Sequence, residues 1–320
     1  MPERCRTGLV YSDIYLKHEA GAWHPERPER LQAIVEGLKR TNLWERLVLL
    51  DPAPADLKWI HAIHDPAYVQ KVRELCESGG GSLDPDTAVN RHSFEVALYA
   101  AGGVLRAVDA VVEGRVRNAF CAVRPPGHHA VHSAAMGFCL FNNVAVAARY
   151  VQRQHGYRRV FIVDWDAHHG NGTQDAFYAD ASVFYFSVHQ YPHYPGTGRR
   201  DERGVGPGEG FTLNVPTPAG AGDEDYERIF LDELVPAADR FRPDFILISA
   251  GFDIQASDSL SGMRVTRRGF ERMTEIVCNL AARHCEGRVV SVLEGGYARP
   301  GLADNVPAHV AALCQCTEQS

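Results

Sequence analysis

Val160-Phe-Ile-Val-Asp-Trp-Asp-Ala-His-His-Gly-Asn-Gly172 begins as an apolar run and ends in a cluster of ionisable side chains. The first four residues have the composition of a strand buried on both faces. Asp164, Asp166, His168 and His169 follow, and then the run breaks into Gly170-Asn-Gly172. Carboxylates directly after a buried strand do not stabilise a core; they must be paired, hydrogen-bonded or metal-bound. Alternate side chains of a strand share a face, so Asp164 and Asp166 point the same way, and His168 continues that spacing. Asp-x-Asp-x-His can therefore bring carboxylate and imidazole to one cation. The bland alternative is a capped strand end beside a satisfied histidine.

Working outward, apolar runs recur at 8–12, 47–50, 118–123, 160–164, 183–188, 211–215, 245–250 and 289–293. Helix-period segments lie between many of them, at 25–40, 66–76, 93–112, 142–154, 223–240 and 266–284. Strand alternating with helix predicts a parallel α/β sheet covered on both faces. Asp223 and Thr266 are placed to cap the last two helices. No repeat, low-complexity tract or linker divides the chain, which predicts one domain over 1–320. Four of the runs are followed by chemistry. Arg124-Pro-Pro-Gly-His-His129 comes after the third, the aspartate stretch after the fourth, Gly251-Phe-Asp253 and Glu294-Gly-Gly-Tyr297 after the last two. In an open parallel sheet these carboxyl ends share one rim, where ligands bind. Core-filling residues would not fall so regularly on that rim.

Composition narrows the function. The 320 residues are 45% hydrophobic and 23% charged, ordinary for a globular chain. With 33 basic against 40 acidic residues the net charge is -7, which argues against general nucleic-acid binding. No apolar segment approaches membrane-span length. Met-Pro-Glu-Arg-Cys-Arg lacks the apolar run of a secretory signal, and no basic run resembles a nuclear address. The eight scattered cysteines read as buried thiols in a reducing compartment. A cytoplasmic protein is expected. Cys314-Gln-Cys316 has no second pair at zinc-finger spacing and reads as a terminal helix or tail.

Asp166, His168 and Asp253 make a set of two oxygens and one nitrogen. Three protein ligands leave a position open, as in catalytic zinc sites, and the set also suits iron(II) or cobalt. His128 and His129 have metal ligation as a competing role. With three ligands already present, they better meet the need for a base and an acid. Asp164 and Asn171 are the natural partners for their second nitrogens. Beside Asp164, His128 would stay basic; beside neutral Asn171, His129 would have the lower pKa and be the better base. Tyr297 follows two glycines that let the backbone approach the metal, and its hydroxyl could serve a developing oxyanion. A tyrosine packed at a strand end is the competing reading.

At these residues the chain resembles the zinc-dependent histone deacetylase family, with its acetoin-utilisation and acetylpolyamine amidohydrolase relatives. The resemblance runs from about His24 to Tyr297. It rests on His24-Pro-Glu-Arg-Pro-Glu-Arg30, the 124–129 motif, Gly137-Phe-Cys-Leu-Phe-Asn-Asn143, the 164–172 stretch, Tyr194-Pro-Gly-Thr-Gly198, Ala250-Gly-Phe-Asp253 and Glu294-Gly-Gly-Tyr297. It implies an arginase-like three-layer α/β/α fold with a central eight-stranded parallel sheet, and a tunnel for an extended acyl-lysine with zinc at its floor. By the same resemblance Asp166, His168 and Asp253 are zinc ligands, His128 and His129 the acid–base pair, and Tyr297 the carbonyl-polarising group. Gly137, Phe138 and Tyr194 become tunnel wall and Leu260 a mouth residue. Arg30 becomes the arginine below the metal associated with acetate release. Main-chain oxygens of Asp164, Asp166, His168 and Val188, with Ser187, become a structural K+ or Na+ site. Asn171 and Glu294-Gly-Gly resemble the class II branch, while Tyr194 departs from the commoner phenylalanine.

The expected activity is removal of an acetyl or short acyl group from a lysine side chain of a peptide or protein. Rivals are the same chemistry on a small acetylated amine such as an acetylpolyamine, an idle acyl-lysine binding module, and a two-metal ureohydrolase of the same fold. The complete catalytic set counts against the idle module. Leu260, where acetylpolyamine-selective relatives can carry glutamate, favours acyl-lysine.

Overall fold

The computed structural model describes residues 5–318, with side chains described to 316. Residues 1–4, part of the stretch read for a secretory signal, and 319–320 lie outside the described residues. The strands are β1 (Thr7–Val10), β2 (Val48–Leu50), β3 (Gly80–Ser82), β4 (Ala88–Asn90), β5 (Asn118–Cys121), β6 (Val160–Asp164), β7 (Val183–Gln190), β8 (Thr212–Thr217), β9 (Phe245–Ala250) and β10 (Val289–Leu293). The helices are α1 (Glu29–Arg40), α2 (Leu57–Ile60), α3 (Pro66–Glu77), α4 (Ser93–Val112), α5 (Asn143–His155), α6 (Asn171–Phe177), α7 (Asp223–Ile229), α8 (Val235–Phe241), α9 (Arg267–His284) and α10 (Arg299–Glu318). A π-helical turn, Phe230–Leu234, joins α7 to α8.

Eight strands form one sheet in the order β2-β1-β5-β10-β9-β6-β7-β8, every pairing parallel. Parallel pairing forces crossovers, and the helices that make them cover both faces. Helices α1, α7, α8, α9 and α10 pack together on one side; α2 to α6 form the other layer. Every residue of β5, β6, β9 and β10 is buried, which is why these strands read as unbroken apolar runs rather than alternating ones. Phe161 on β6 stacks on Phe184 of β7, its register partner, at 4.7 Å between centroids. This is the three-layer arginase-like architecture implied by the resemblance.

Local details differ from the sequence reading. The first helix starts at Glu29 rather than 25, because Pro28 occupies its N-cap and the preceding residues bend. Gly222, not Asp223, holds the N-cap of α7, where Asp225 accepts from the Gly222 N–H. Asp223 instead reaches across to α9 and accepts from both the N–H and the hydroxyl of Thr266. Thr266 is thus at the N-cap of α9, but its hydroxyl donates to a carboxylate and does not cap its own helix. The 170–172 break is the N-terminus of α6. The hairpin β3–β4, the short α2 and most of α10 carried no periodic signal.

Candidate active site

Strand β6 ends at Asp164, and β9 beside it and β10 beyond end near the same level, since Asp164 pairs with Ser249 and Leu293 with Ala250. The chain leaving each of these strands, and β5, turns over the same rim. Beyond it lies a cavity of about 240 Å³ whose walls include His128, His129, His168, Phe138, Tyr194 and Tyr297. Gly137 and Leu260 also line it.

At the floor, Asp166, His168 and Asp253 each offer a ligand atom, all within 4.8 Å of one another. His168 Nδ1 is 3.1 Å from Asp166 Oδ1 and 3.1 Å from Asp253 Oδ2. A tetrahedral ion with bonds of about 2.0–2.2 Å has ligand-to-ligand edges of roughly 3.3–3.6 Å, so the set needs little adjustment to fit one. The carboxylates are aimed by backbone. Asp166 Oδ2 accepts from Gly295 N at 2.8 Å and Asp253 Oδ1 from Ala167 N at 2.9 Å, each leaving the other oxygen for the cluster. A Cβ at Gly295 would collide with both carboxylates, so glycine there lets the β10 loop close over them. The donor set and its anchoring fit a divalent cation.

His128 and His129 enter from the loop after β5. The Glu294 carboxylate accepts from the N–H groups of Gly127 (2.7 Å) and His128 (3.1 Å), fixing that loop to β10. His128 Nδ1 donates to Asp164 Oδ2 at 3.0 Å, while His129 Nδ1 lies 2.8 Å from Asn171 Oδ1. Asn171 directs its amide nitrogen to His129 O and Met136 Sδ, so its oxygen faces the imidazole. That assigns the His129 proton to Nδ1 and leaves Nε2 with a lone pair. Burial opposes a charge on His128, but Asp164, Asp166 and Glu294 outweigh it and push its pKa up to about 10. Burial also acts on His129, with His128 and His168 adding repulsion, and holds it well below the ordinary value. At neutral pH one imidazole keeps its proton and its neighbour is free to accept one.

Tyr297 lies over Arg30, with the guanidinium 4.8 Å from the ring centroid, and packs edge-on against Phe138. Asp258 Oδ2 accepts from the N–H groups of Tyr297 (2.6 Å) and Ala298 (2.9 Å), setting the ring's position. Burial, with Asp166 and Asp253 nearby, raises the phenol well above its ordinary pKa, so it remains a donor.

Not every expected residue reaches the cavity. Arg30 lies beneath it, buried, bonding Gly296 O at 2.6 Å, Glu294 O and the Glu26 carboxylate. Asp164 and Asn171 stand behind the two histidines. Ser187 pairs with Asp164 across β6 and β7 and shares a hydrogen bond with His189 Nδ1; Val188 follows it, buried. Other residues gained no role from sequence. Tyr185 donates to Asp164 Oδ2 at 3.0 Å beside His128. His193 stacks on His168 at 4.9 Å and lines the cavity with Asp86. Asp86 Oδ1 accepts from Gly137 N (3.2 Å) and the Thr87 hydroxyl (3.0 Å), and the carboxylate also interacts with the Tyr194 phenol. Glu26 forms a buried fork with Arg124, both contacts at 2.6 Å. A polar residue inside a buried strand was the one available signal for Tyr185.

A histone deacetylase domain model matches residues 24–313. A probable deacetylase of Archaeoglobus fulgidus is 44% identical over 92% of this chain and 82% of its own. The polyamine deacetylase HDAC10 of Homo sapiens is 42% identical over 90% of this chain, which covers 44% of that protein. The crystal structure of the HDA15 HD domain superposes with a TM-score of 0.92 at 39% identity, covering 97% of this chain and 89% of the other. With this likeness along the length that holds every site segment, the chain belongs to the histone deacetylase family of amidohydrolases.

Proposed function

We propose that this protein is a zinc-dependent deacetylase that hydrolyses the amide of an acetylated, or short-acylated, lysine side chain. The convergence of Asp166, His168 and Asp253 at the floor of a cavity walled by His128, His129 and Tyr297 carries this reading. The donor set also admits iron(II) or cobalt. A bound dication would supply Lewis acidity to the carbonyl and acidity to a water beside it. His129 Nε2 takes the proton from the attacking water, and Asn171 holds the ring through Nδ1. His128, kept protonated by Asp164, supplies positive charge beside the tetrahedral centre. The Tyr297 hydroxyl donates to the developing oxyanion. A protonated histidine, His128 or His129, then passes a proton to the leaving amine. Asp164, Asp166, His168, Ser187 and Val188 are proposed to hold a structural K+ or Na+, residues 1–320 to form one catalytic domain, and the protein to be cytoplasmic. No helix among the described residues is long and apolar enough to cross a membrane.

A small acetylated amine is the second reading, favoured by the likeness to a polyamine deacetylase and by Asp86 in the cavity wall. Asp86, however, already serves Gly137, Thr87 and Tyr194, and Leu260 brings no charge to the wall. Acyl-lysine is therefore preferred. Metal content and turnover on an acetyl-lysine peptide and on acetylspermidine, for wild type and Asp253→Ala, test both points. The expected result is stoichiometric zinc and peptide turnover in the wild type, both lost in the variant. Full metal and activity in the variant would remove Asp253 from the ligands, and preference for acetylspermidine would select the second reading.

A further inference from the structure

Far from the active site, at the rim where the strands begin, Cys278 on α9 and Cys316 on α10 line one small cleft with Arg117, Asn118 and Gly287. The two helices pack against each other, and the two thiols interact directly. Cys314, two positions along α10, faces the opposite way and interacts with Cys5 just before β1. All eight cysteines are thiols. Positions i and i+2 of a helix point to different sides, so Cys314-Gln-Cys316 presents one thiol to each neighbouring element. No cysteines join a group of three or more metal-ligating side chains among the described residues, so a thiolate metal site is not indicated.

We infer that Cys278 and Cys316 are a peroxide-oxidisable dithiol that closes into a disulfide and clamps the end of α10 to α9. Cys316 is the partly exposed member and Cys278 is buried. The Cys278 thiol, hydrogen-bonded to Cys316, lowers the pKa of Cys316, and the same bond with burial raises that of Cys278; Glu275 opposes the thiolate on both. Cys316 is therefore the attacking thiolate. Its sulfur bonds one oxygen of hydrogen peroxide as the O–O bond breaks, giving a sulfenic acid and, after protonation, water. The Cys278 sulfur then attacks that sulfur; S–S forms, S–O breaks, and a second water leaves. Two thiols lose two electrons and two hydrogens to one peroxide. The Cys5–Cys314 pair has the same asymmetry, with Cys5 lowered to about 6 by Cys314, but both members are buried.

The test is mild hydrogen peroxide treatment of the full chain, followed by thiol counting, peptide mapping and thermal melting. Trypsin leaves Cys278 on peptide 273–283 and both Cys314 and Cys316 on 289–320, so fragmentation of the cross-linked species assigns the bridge. Two thiols are expected to disappear, with a 278–316 link reversible by dithiothreitol and a melting temperature raised by about 5 °C. Cys316→Ser and Cys278→Ala should each abolish link and shift while leaving turnover within about twofold, as both lie outside the catalytic machinery. A link found only at Cys5–Cys314, or Cys316 passing to sulfinic acid while Cys278 stays reduced, would overturn the inference.

Discussion

His128 and His129 have ring centroids 4.0 Å apart and opposite protonation preferences: burial is outweighed at His128 by Asp164, Asp166 and Glu294, and is reinforced at His129 by repulsion from His128 and His168. The partner behind each ring was legible in sequence, because Asp164 and Asn171 flank the metal stretch at positions the loop can reach. Asp86, His193 and Tyr185 were not: nothing local marks which face of a buried strand or loop a polar side chain takes. Tyr297 offers the sharpest test of roles. Loss of one oxyanion donor costs about 10²–10³ in turnover, so Tyr297→Phe should lower kcat by that range with KM nearly unchanged. Steady-state kinetics on an acetyl-lysine peptide checks this, and near wild-type kcat would return Tyr297 to a packing role. At the cavity wall, Leu260→Glu should move the ratio of kcat/KM for acetyl-lysine peptide over acetylspermidine toward the polyamine. About 1 kcal/mol, or roughly fivefold, is expected for a solvated charge at low salt. An unmoved ratio would mean that Leu260 does not set selectivity.

At the scale of elements, the strands were the most legible because full burial on two faces writes itself as an apolar run. Helix α10 was the least. It opens Arg299-Pro-Gly, contains Pro307, and is buried on several sides, so no stripe distinguishes a core face from a wet one. Its His309 is fully buried among Phe120, Trp165 and Phe252. Thr274 uses its hydroxyl proton on Phe270 O, so His309 Nδ1 donates to Thr274 while Nε2 accepts from Ser291. Only the neutral ring satisfies both contacts, and burial lowers its pKa to about 3. With the unfolded value near 6.5, this contribution is complete above pH 6.5 and is lost as pH falls toward 3. Between pH 6.5 and 4.5 it amounts to about 2–3 kcal/mol. Denaturant titrations at pH 7.5 and 4.5 should show a smaller acid-induced loss for His309→Gln than for wild type. The buried His64 and His189, each lowered to about 4 by burial, contribute to the part that remains, as do His18, His129 and His169, which burial also lowers. Equal losses in the two proteins would place acid sensitivity elsewhere.

For the whole molecule, alternating strands and helices announced a parallel sheet, and motifs after four strands announced a shared rim. The spatial order of those strands was beyond reach, because pairing partners leave no mark on either strand's own composition. That order has a consequence for how the protein comes into being. The two strands made last, β9 and β10, lie at the middle of the sheet, between β5 and β6. A nascent chain that has reached residue 241 therefore carries two separate partial sheets whose inner edges face a gap, with Asp253 and Tyr297 still unmade. Open apolar edges of this kind are sticky, and long-range parallel pairing is slow. A fragment ending at residue 241 is expected to aggregate and to bind no zinc, even though it holds Asp166, His168 and both tandem histidines. Expression of the fragment with a solubility assay and metal analysis checks this; a soluble, monomeric, cooperatively melting fragment would show that the outer strands fold without the centre. The middle can be laid in only once residue 293 has been made, so the interval between residues 241 and 293 is the one in which a chaperone would matter most.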